Sequence, residues 1–150
     1  MTQDSSGAVA DTRPEARAAE VRGGVVPYLQ VDGAMRAAGF YARAFGATLV
    51  AAQPVDDQGR TMHVHLYING NSVMLGDPYP EHGYPLAKAQ GFNLTLLVDD
   101  IDAWWKRAVD AGMDVVMPVA EMFWGDRYGQ LRDPFGVLWA MNEPRRRGGA

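Results

Sequence analysis

Residues 124–141, WGDRYGQLRDPFGVLWAM, predict a strand, a tight turn and a second strand. The turn is Asp133-Pro134-Phe135-Gly136, in which the proline presets φ and the glycine can adopt a positive φ. After the turn, apolar residues recur at the period of a strand, namely Val137, Trp139 and Met141. The stretch also carries aromatic and guanidinium groups that a turn does not need, namely Trp124, Arg127 and Tyr128. This hairpin therefore predicts the end of the fold and marks a candidate binding cluster.

The elements that lead to this hairpin occur twice in the chain. Residues 29–32, LQVD, match residues 96–99, LLVD, and a helical pattern follows each of them. Gly46 and Gly112 lie at matching places and would end the two helices. Asn69-Gly70 is a strong hairpin signal in the first copy, where the second copy has its Asp-Pro-Phe-Gly turn. Each copy therefore predicts the order β-α-β-β-β.

Apolar periodicity and turn residues predict the individual elements. The helices are predicted over 34–45 and 101–111, with Asp32 and the pair Asp99-Asp100 as N-caps. The strands are predicted over 25–31, 48–53, 62–68, 72–76, 92–98 and 113–117 and in the closing hairpin. The predicted organisation is a disordered tail over 1–22, a first module over 23–77, a proline-containing linker over 78–91, a second module over 92–143 and a tail over 144–150.

A four-stranded sheet with one helix covers only one of its two faces. Two such sheets can join edge to edge and curve, which leaves the uncovered faces on the inside. The predicted fold class is therefore α+β, with two tandem βαβββ modules that form a curved mixed sheet cup with the helices on the outer face.

Alternation along the strands separates an apolar face from a mixed face. In the third strand the apolar set is Val64, Leu66 and Ile68, which places the intervening residues on the other face. The same argument applies to the first and fifth strands. The residues predicted to line the cup are Tyr28, Gln30, His63, His65, Tyr67, Asn93 and Thr95.

The composition narrows the classes of function. The 150 residues carry a net charge of −4 and no basic stripe inside the modules, which argues against nucleic-acid binding. Because there is no cysteine, disulfides, thiolate metal sites and cysteine nucleophiles are excluded. No apolar run approaches the roughly 18 residues of a membrane span. A cytoplasmic protein without a membrane partner is expected.

The tandem modules, the Val-Asp pair before each helix, Phe40-Tyr41 with Phe45-Gly46, and the Asp-Pro-Phe-Gly turn resemble the vicinal oxygen chelate superfamily. That superfamily includes glyoxalase I, extradiol dioxygenases, fosfomycin-resistance transferases and bleomycin-binding proteins. Residues 123–141 together with Met62-His63 resemble its PhnB-like branch, and the resemblance covers residues 25–142. The resemblance is specific for the fold. It says little about the function, because the superfamily contains both metalloenzymes and metal-free binders.

The resemblance also implies a test for a divalent metal. Glyoxalase-type members bind the ion with His, Gln or Glu side chains, two from each module. The corresponding positions here are Val26, Asn93 and Ala140, with the fourth near Gly76, where Met74 lies two residues away on the same face. Only Asn93 has an oxygen donor, whereas a catalytic site needs about three protein ligands. We therefore predict no metal and no cofactor.

His63 and His65 are the competing candidates. At i and i+2 on one strand they share a face and could bind one ion, with His82, Asp77 or Glu121 as a third ligand. The alternative is that they are polar wall residues that contact a ligand, water or a neighbouring strand. As residues that titrate near neutral pH, they could also transfer a proton.

Trp124, Arg127 and Tyr128 allow two interpretations. They could clamp a flat or anionic ligand by stacking and by the guanidinium fork. Alternatively, Arg127 pairs with a neighbouring acid and the aromatic residues seal the rim. Trp104 and Trp105 share a helix face with Ile101 and are predicted to belong to the core or to a dimer interface.

Three functions follow from these patterns. The first is a metal-independent protein that binds a small organic molecule in the cup, with drug sequestration as one form and a homodimer as the expected assembly. The second is a lyase, isomerase or dioxygenase-like enzyme that uses His63 or His65, with or without a metal. The third is a subunit whose cup is filled by side chains and which binds a partner protein.

Overall fold

The computed structural model describes residues 20–145. The strands are β1 (Tyr28–Gln30), β2 (Thr48–Ala52), β3 (Val64–Ile68), β4 (Asn71–Gly76), β5 (Leu94–Leu97), β6 (Asp114–Glu121), β7 (Arg127–Arg132) and β8 (Leu138–Glu143), and the helices are α1 (Ala34–Phe45) and α2 (Ile101–Ala111). A short 3-10 turn covers Pro80–His82. The predicted tails lie mostly outside the described residues.

The strands form two four-stranded sheets, with the orders β1-β4-β3-β2 and β5-β8-β7-β6. In each sheet the first and last strands of the copy pair in parallel, and the remaining pairs are antiparallel. The βαβββ order predicted for both copies is therefore confirmed, and each sheet is mixed.

The described chain divides into two compact units. The first unit comprises residues 20–39 and 47–86, and the second unit comprises residues 40–46 and 87–145. The C-terminal part of α1 thus groups with the second copy of the repeat. No helix in the described part of the chain is long and apolar enough to cross a membrane.

The apolar face of the first sheet follows the predicted alternation. Val64 and Leu66 are fully buried and Ile68 is nearly so. β1 is shorter than predicted because the residue before it is Pro27, which has no N–H group with which to extend the ladder.

A carboxylate from the end of the sheet holds the start of each helix. Asp77 Oδ1 accepts hydrogen bonds from the backbone N–H groups of Gly33 (2.7 Å) and Ala34 (3.1 Å), and its Oδ2 accepts one from Thr61 N–H (2.8 Å). The prediction of Asp32 as N-cap is wrong, because Gly33 precedes the helix and Asp77 provides the oxygen.

The second helix has the predicted ends and a matching anchor. Asp100 is the N-cap and accepts a hydrogen bond from Ala103 N–H at 3.2 Å. Glu143, at the end of β8, accepts one from Ile101 N–H at 2.9 Å. Gly112 ends the helix with a φ of +118°, a value that favours glycine.

The Asp-Pro-Phe-Gly turn is architectural. Gly136 N–H donates to Asp133 O at 3.1 Å. The buried Asp133 carboxylate accepts hydrogen bonds from Tyr41 Oη, Trp139 Nε1 and two backbone N–H groups of the turn and the start of β8. Burial, and secondarily Asp133 itself, raise the pKa of Tyr41, which keeps the phenol protonated as a donor.

β6 is longer than predicted. It continues through Pro118 to Glu121 instead of ending at residue 117. β6 is an edge strand, where a missing N–H breaks no ladder, and the register shifts between Met117 and Ala120.

Candidate functional site

A cavity of about 380 Å³ lies in the first unit. It has an aromatic and largely apolar lining with few polar groups. The lining residues are Tyr28, Gln30, Met62, Gly76, Asp77, Tyr79 and Tyr84. Concave, mostly apolar sites of this size are typical of small-molecule binding. Only Tyr28 and Gln30 of this set are among the residues predicted from alternation.

One wall of the cavity is the tyrosine loop, residues 79–84. Tyr79 N–H donates to Tyr84 O at 2.7 Å, and Tyr84 N–H donates back to Tyr79 O at 2.9 Å. Gly83 makes the reversal with a φ of +87°. Gln30 Nε2 donates to Pro85 O at 3.0 Å and so fastens the loop to β1. The loop is therefore a folded wall within the segment predicted as a linker.

Arg60 supports this wall from outside the cavity lining. Its guanidinium carbon lies 4.4 Å from the ring centroid of Tyr79. The same group contacts Asp56 Oδ2 at 2.9 Å and Glu81 Oε2 at 2.6 Å. The hydrogen bonds from Arg60 lower the pKa of Glu81 to about 2. Because two carboxylates neutralise Arg60, it adds no net positive charge to the cavity.

The cavity depends on a glycine at the end of β4. A Cβ atom on Gly76 would lie 2.6 Å from the backbone oxygen of Met62 and 3.3 Å from Tyr28 Oη. The first distance is shorter than real Cβ contacts, and the atom in conflict belongs to the backbone. Residue 76 therefore has no room for a side chain while Tyr28 and Met62 keep their positions.

Tyr28 joins the cavity to His63. Its hydroxyl lies 2.6 Å from Met62 O and 3.1 Å from His63 Nδ1, and the two rings are 5.6 Å apart. Burial raises the pKa of Tyr28, so the hydroxyl is protonated at neutral pH.

His65 has a different environment. It is 3% exposed, and its Nε2 lies 2.7 Å from Ser72 Oγ. Burial, followed by His63 and Arg22, lowers the pKa of His65 and favours the neutral imidazole. The two histidines predicted to share a face are thus both in the first unit, but only His63 bonds to a cavity residue.

The chain before β1 covers the sheet near His65. Arg22 N–H donates to Ser72 Oγ at 2.7 Å, and Ser72 N–H donates to Arg22 O at 2.9 Å. The Arg22 guanidinium lies 3.8 Å from the ring centroid of Tyr67, whose hydroxyl donates to Glu20 O at 2.7 Å. Tyr67 is thus engaged by residues 20–22, outside the cavity lining.

In the second unit, the predicted polar residues form a network. Thr95 Oγ1 donates to Asn93 Oδ1 at 2.7 Å, and Asn93 Nδ2 lies 3.5 Å from Tyr128 Oη. Gln130 Nε2 also donates to Tyr128 Oη, at 3.1 Å. Asn93, Thr95 and Tyr128 are therefore brought together, and Gln130 is a member that sequence reasoning missed.

Arg127 and Trp124 lie at the start of β7 and in the turn before it. Both terminal nitrogens of Arg127 contact the Asp102 carboxylate at 2.9 Å, and this pairing lowers the pKa of Asp102. The Trp124 ring is 6.0 Å from the Tyr128 ring. The ion pair agrees with the alternative in which Arg127 binds a neighbouring acid. Trp105 packs over the sheet at Gly129, where a Cβ would lie 2.7 Å from its ring.

The strand pairing revises one of the positions assigned to metal ligands. Tyr28 pairs with Met74 in the first unit as Thr95 pairs with Ala140 in the second. Met74, two residues before Gly76, is therefore the counterpart of Ala140. The four positions become Val26, Met74, Asn93 and Ala140, and their side chains do not fit a hard divalent ion.

The additional candidate ligands do not supply a cluster either. Both oxygens of Asp77 accept backbone hydrogen bonds, and His65 Nε2 is paired with Ser72. Within residues 20–145, no three His, Cys, Asp or Glu side chains are grouped so as to hold a metal ion.

The profile of the Glyoxalase/Bleomycin resistance protein/Dioxygenase superfamily matches residues 23–141. The chain belongs to this superfamily. The uncharacterized protein Mb0911c of Mycobacterium bovis is 40% identical over 126 residues, which cover 80% of this chain and 82% of that protein.

Two solved structures are similar to this chain in fold. Protein PA1353 from Pseudomonas aeruginosa is 32% identical, with a TM-score of 0.66, over 81% of this chain and 98% of that chain. A Bacillus cereus PhnB protein, described as a putative 3-demethylubiquinone-9 3-methyltransferase, is 21% identical with a TM-score of 0.60 over 81% of this chain and all (100%) of that chain. The predicted resemblance is therefore confirmed, including similarity to a PhnB-like fold.

Sequence reasoning did not identify most of the cavity lining, namely Met62, Gly76, Asp77, Tyr79 and Tyr84. The local signal that was available is a turn, with Pro80 and Gly83 between Tyr79 and Tyr84. The proline content of residues 78–91 instead favoured the prediction of a linker.

Proposed function

We propose that this protein binds a small aromatic molecule, neutral or cationic, in the cavity of the first unit, without the divalent metal of its enzymatic relatives. The observation that carries the proposal is the set of three tyrosine rings around a cavity of about 380 Å³. Aromatic rings provide contact area and favourable contacts with cations.

The charges near the cavity favour this class of ligand over an anion. The only charged residue in the lining is Asp77, and the nearby Arg60 is neutralised by Asp56 and Glu81. The net charge of −4 acts in the same direction. Sequestration of an aromatic drug is one form of this function, and the superfamily's description includes bleomycin resistance proteins.

A thermal-shift series with one ring system and three charges tests the proposal. We expect 2-methylnaphthalene and 1-naphthylmethylamine to stabilise the protein and 1-naphthoate to have little effect. A ligand at 100 times its dissociation constant stabilises by about 2.7 kcal/mol. The shift should be reduced in Tyr84→Ala and retained in Tyr128→Ala, which removes a tyrosine of the second unit. No shift with any compound would reject the proposal and favour the partner-binding function.

A homodimer in the cytoplasm is part of the same proposal. The edge strands β2 and β6 need to be covered or protected, and β6 exposes Val115 and Val116. Light scattering on the purified chain should give twice the monomer mass, and a monomer at micromolar concentration would reject the dimer.

A second function, a lyase, isomerase or dioxygenase-like activity, is favoured by the hydrogen bond between His63 and the cavity residue Tyr28. Metal analysis separates its metal-dependent form from the binding function. Stoichiometric Zn, Ni, Fe or Mn that is lost in the His63→Ala/His65→Ala variant would contradict the metal-free proposal.

A further inference from the structure

The hydrogen bonds of Tyr28 determine which nitrogen of His63 carries the proton. A phenol has one proton, and the backbone oxygen of Met62, 2.6 Å away, can only accept it. Towards His63 Nδ1, at 3.1 Å, the Tyr28 oxygen can therefore act only as an acceptor. Nδ1 must then be the donor and carry a proton.

A neutral imidazole with its proton on Nδ1 has its lone pair on Nε2. Within residues 20–145, no hydrogen-bond partner contacts Nε2 of His63. Protonation of Nε2 would leave the Nδ1–H bond to Tyr28 intact, since Nδ1 donates in both charge states. Tyr28 thus orients the ring and leaves its other nitrogen available as an acceptor.

His63 is not part of the cavity lining, but it adjoins two residues that are. The bonding partner Tyr28 and the preceding residue Met62 both line the cavity. Strands β3 and β4 are antiparallel and pair Val64 with Leu75. One position further in the same register, His63 lies opposite Gly76, which has no side chain. His65 provides no such acceptor, because its Nε2 is engaged by Ser72.

We infer that Nε2 of His63 accepts a hydrogen bond from an N–H or O–H group on the bound molecule, so that the ligand class is an aromatic molecule with a donor on its ring or directly attached to it. This inference rests on the proposed function and adds the polar contact that orients the ligand. It also explains how a cavity lined mainly by rings can select among molecules of similar shape.

The protonation state can be measured without a ligand. Long-range ¹H–¹⁵N correlation of the labelled protein above pH 8 reports which nitrogen of each imidazole carries the proton. We expect Nδ1–H for His63, and Tyr28→Phe should shift it towards Nε2–H. His82→Gln removes the exposed histidine of the tyrosine loop and serves to assign the signals. A neutral His63 with its proton on Nε2 would overturn the inference.

Binding of a matched pair tests the contact itself. 2-Naphthol has an O–H donor, and 2-methoxynaphthalene has the same ring without it. Calorimetric titration of the full chain should show a preference of about fivefold to tenfold for 2-naphthol, the value of one net hydrogen bond. In His63→Phe, which keeps a flat ring, the preference should fall to about one while 2-methoxynaphthalene still binds.

The outcomes separate the two proposals. Equal binding of both compounds by the native protein, or a preference that persists in His63→Phe, overturns the role of His63 and leaves the aromatic cavity in place. Failure of both compounds to bind the native protein overturns the proposed function and this inference with it.

Discussion

The two units repeat one topology, and the cavity of about 380 Å³ lies at the end of the sheet in the first unit. Val31 N–H donates to Gly76 O in the first unit, and Val98 N–H donates to Asn142 O in the second. Gly76 and Asn142 are therefore equivalent positions. Asn142 Nδ2 donates to Asp126 Oδ2 at 3.0 Å, whereas Gly76 has no side chain and lets Met62 O and Tyr28 Oη approach its backbone closely.

The same register makes His65 equivalent to Gln130 and His63 equivalent to Tyr128. His65 pairs with Met74 as Gln130 pairs with Ala140, and Tyr128 pairs with Asn142. The repeated backbone thus carries histidines and a glycine in the first unit, where the second has a network of neutral polar side chains. The two units thus share their topology and differ in the side chains on the mixed face, and the proposed ligand site rests on those side chains.

The largest effect is expected where the two units anchor their helices. Asp77→Ala leaves three backbone N–H groups without their acceptor. Glu143→Ala leaves only one backbone N–H group, that of Ile101, without this acceptor. We expect the free energy of unfolding to fall by about 3 kcal/mol in Asp77→Ala and by about 1 kcal/mol in Glu143→Ala. Urea denaturation measures both, and equal losses would show that the anchors do not differ as described.

The next largest loss of stability is expected when Gly76 and Asn142, the equivalent residues at the ends of the two sheets, are each replaced by the residue of the other unit. Gly76→Asn forces a side chain against the backbone oxygen of Met62 and should cost about 2 kcal/mol of stability. Asn142→Gly loses the hydrogen bond to Asp126 and should cost about 1 kcal/mol. If Gly76→Asn were as stable as the native protein, the close approach at this position would be disproved.

The His65→Gln substitution places in the first unit the residue type that the second unit has at the equivalent position, Gln130. It should change the pH dependence of stability. The folded pKa of His65 is lowered, so the unfolded state binds more protons between the folded and unfolded pKa values. Stability from this group is therefore fully present above the ordinary histidine pKa and is lost as pH falls from there through the lowered folded pKa. Denaturation between pH 8 and pH 5 should show this decline, and His65→Gln should reduce it. An unchanged pH profile would contradict the assignment.

The smallest effect is expected at Arg127 in the second unit. Its ion pair with Asp102 is exposed to solvent, with side-chain exposures of 40% and 73%. Arg127→Gln should leave the free energy of unfolding almost unchanged, and high salt should remove any difference. A clear loss of stability that persists in high salt would indicate a structural role beyond this pair.

Local signals explain which parts of the fold the sequence could predict. Helix α2 has its predicted ends because Asp100 is a local N-cap and Gly112 is a local end signal. The third strand was recognisable because its alternate residues are buried. The family resemblance added the fold as a whole, which the sequence profile confirms.

The features that sequence reasoning missed depend on contacts between distant residues. Asp77 anchors a helix start 44 positions earlier, so no local pattern identifies it in place of Asp32. Tyr79 and Tyr84 become a wall only when the loop folds back on itself and Gln30 fastens it to β1. Pro118 is compatible with β6 only because that strand lies at an edge, which is a property of the assembled sheet.

The candidate site was therefore predicted only in part. Tyr28 and Gln30 were identified from alternation and line the cavity, and His63 bonds to it. The role of Gly76 could not be predicted because it depends on how near Met62 and Tyr28 lie in space. The functions of His65, Tyr67, Asn93, Thr95, Trp124, Arg127 and Tyr128 as ligand contacts stay predictions.

The central claim is that the first unit binds an aromatic molecule because residue 76 has no side chain. Titration of ¹⁵N-labelled protein with 2-naphthol, followed by NMR in the native chain and in Gly76→Asn, tests it most directly. The account predicts saturable shifts at the amides of Tyr28, Gly76 and Tyr84 in the native protein and their loss in the variant. Unchanged binding by Gly76→Asn, or shifts confined to Tyr128 and Asn142 in the second unit, would contradict it.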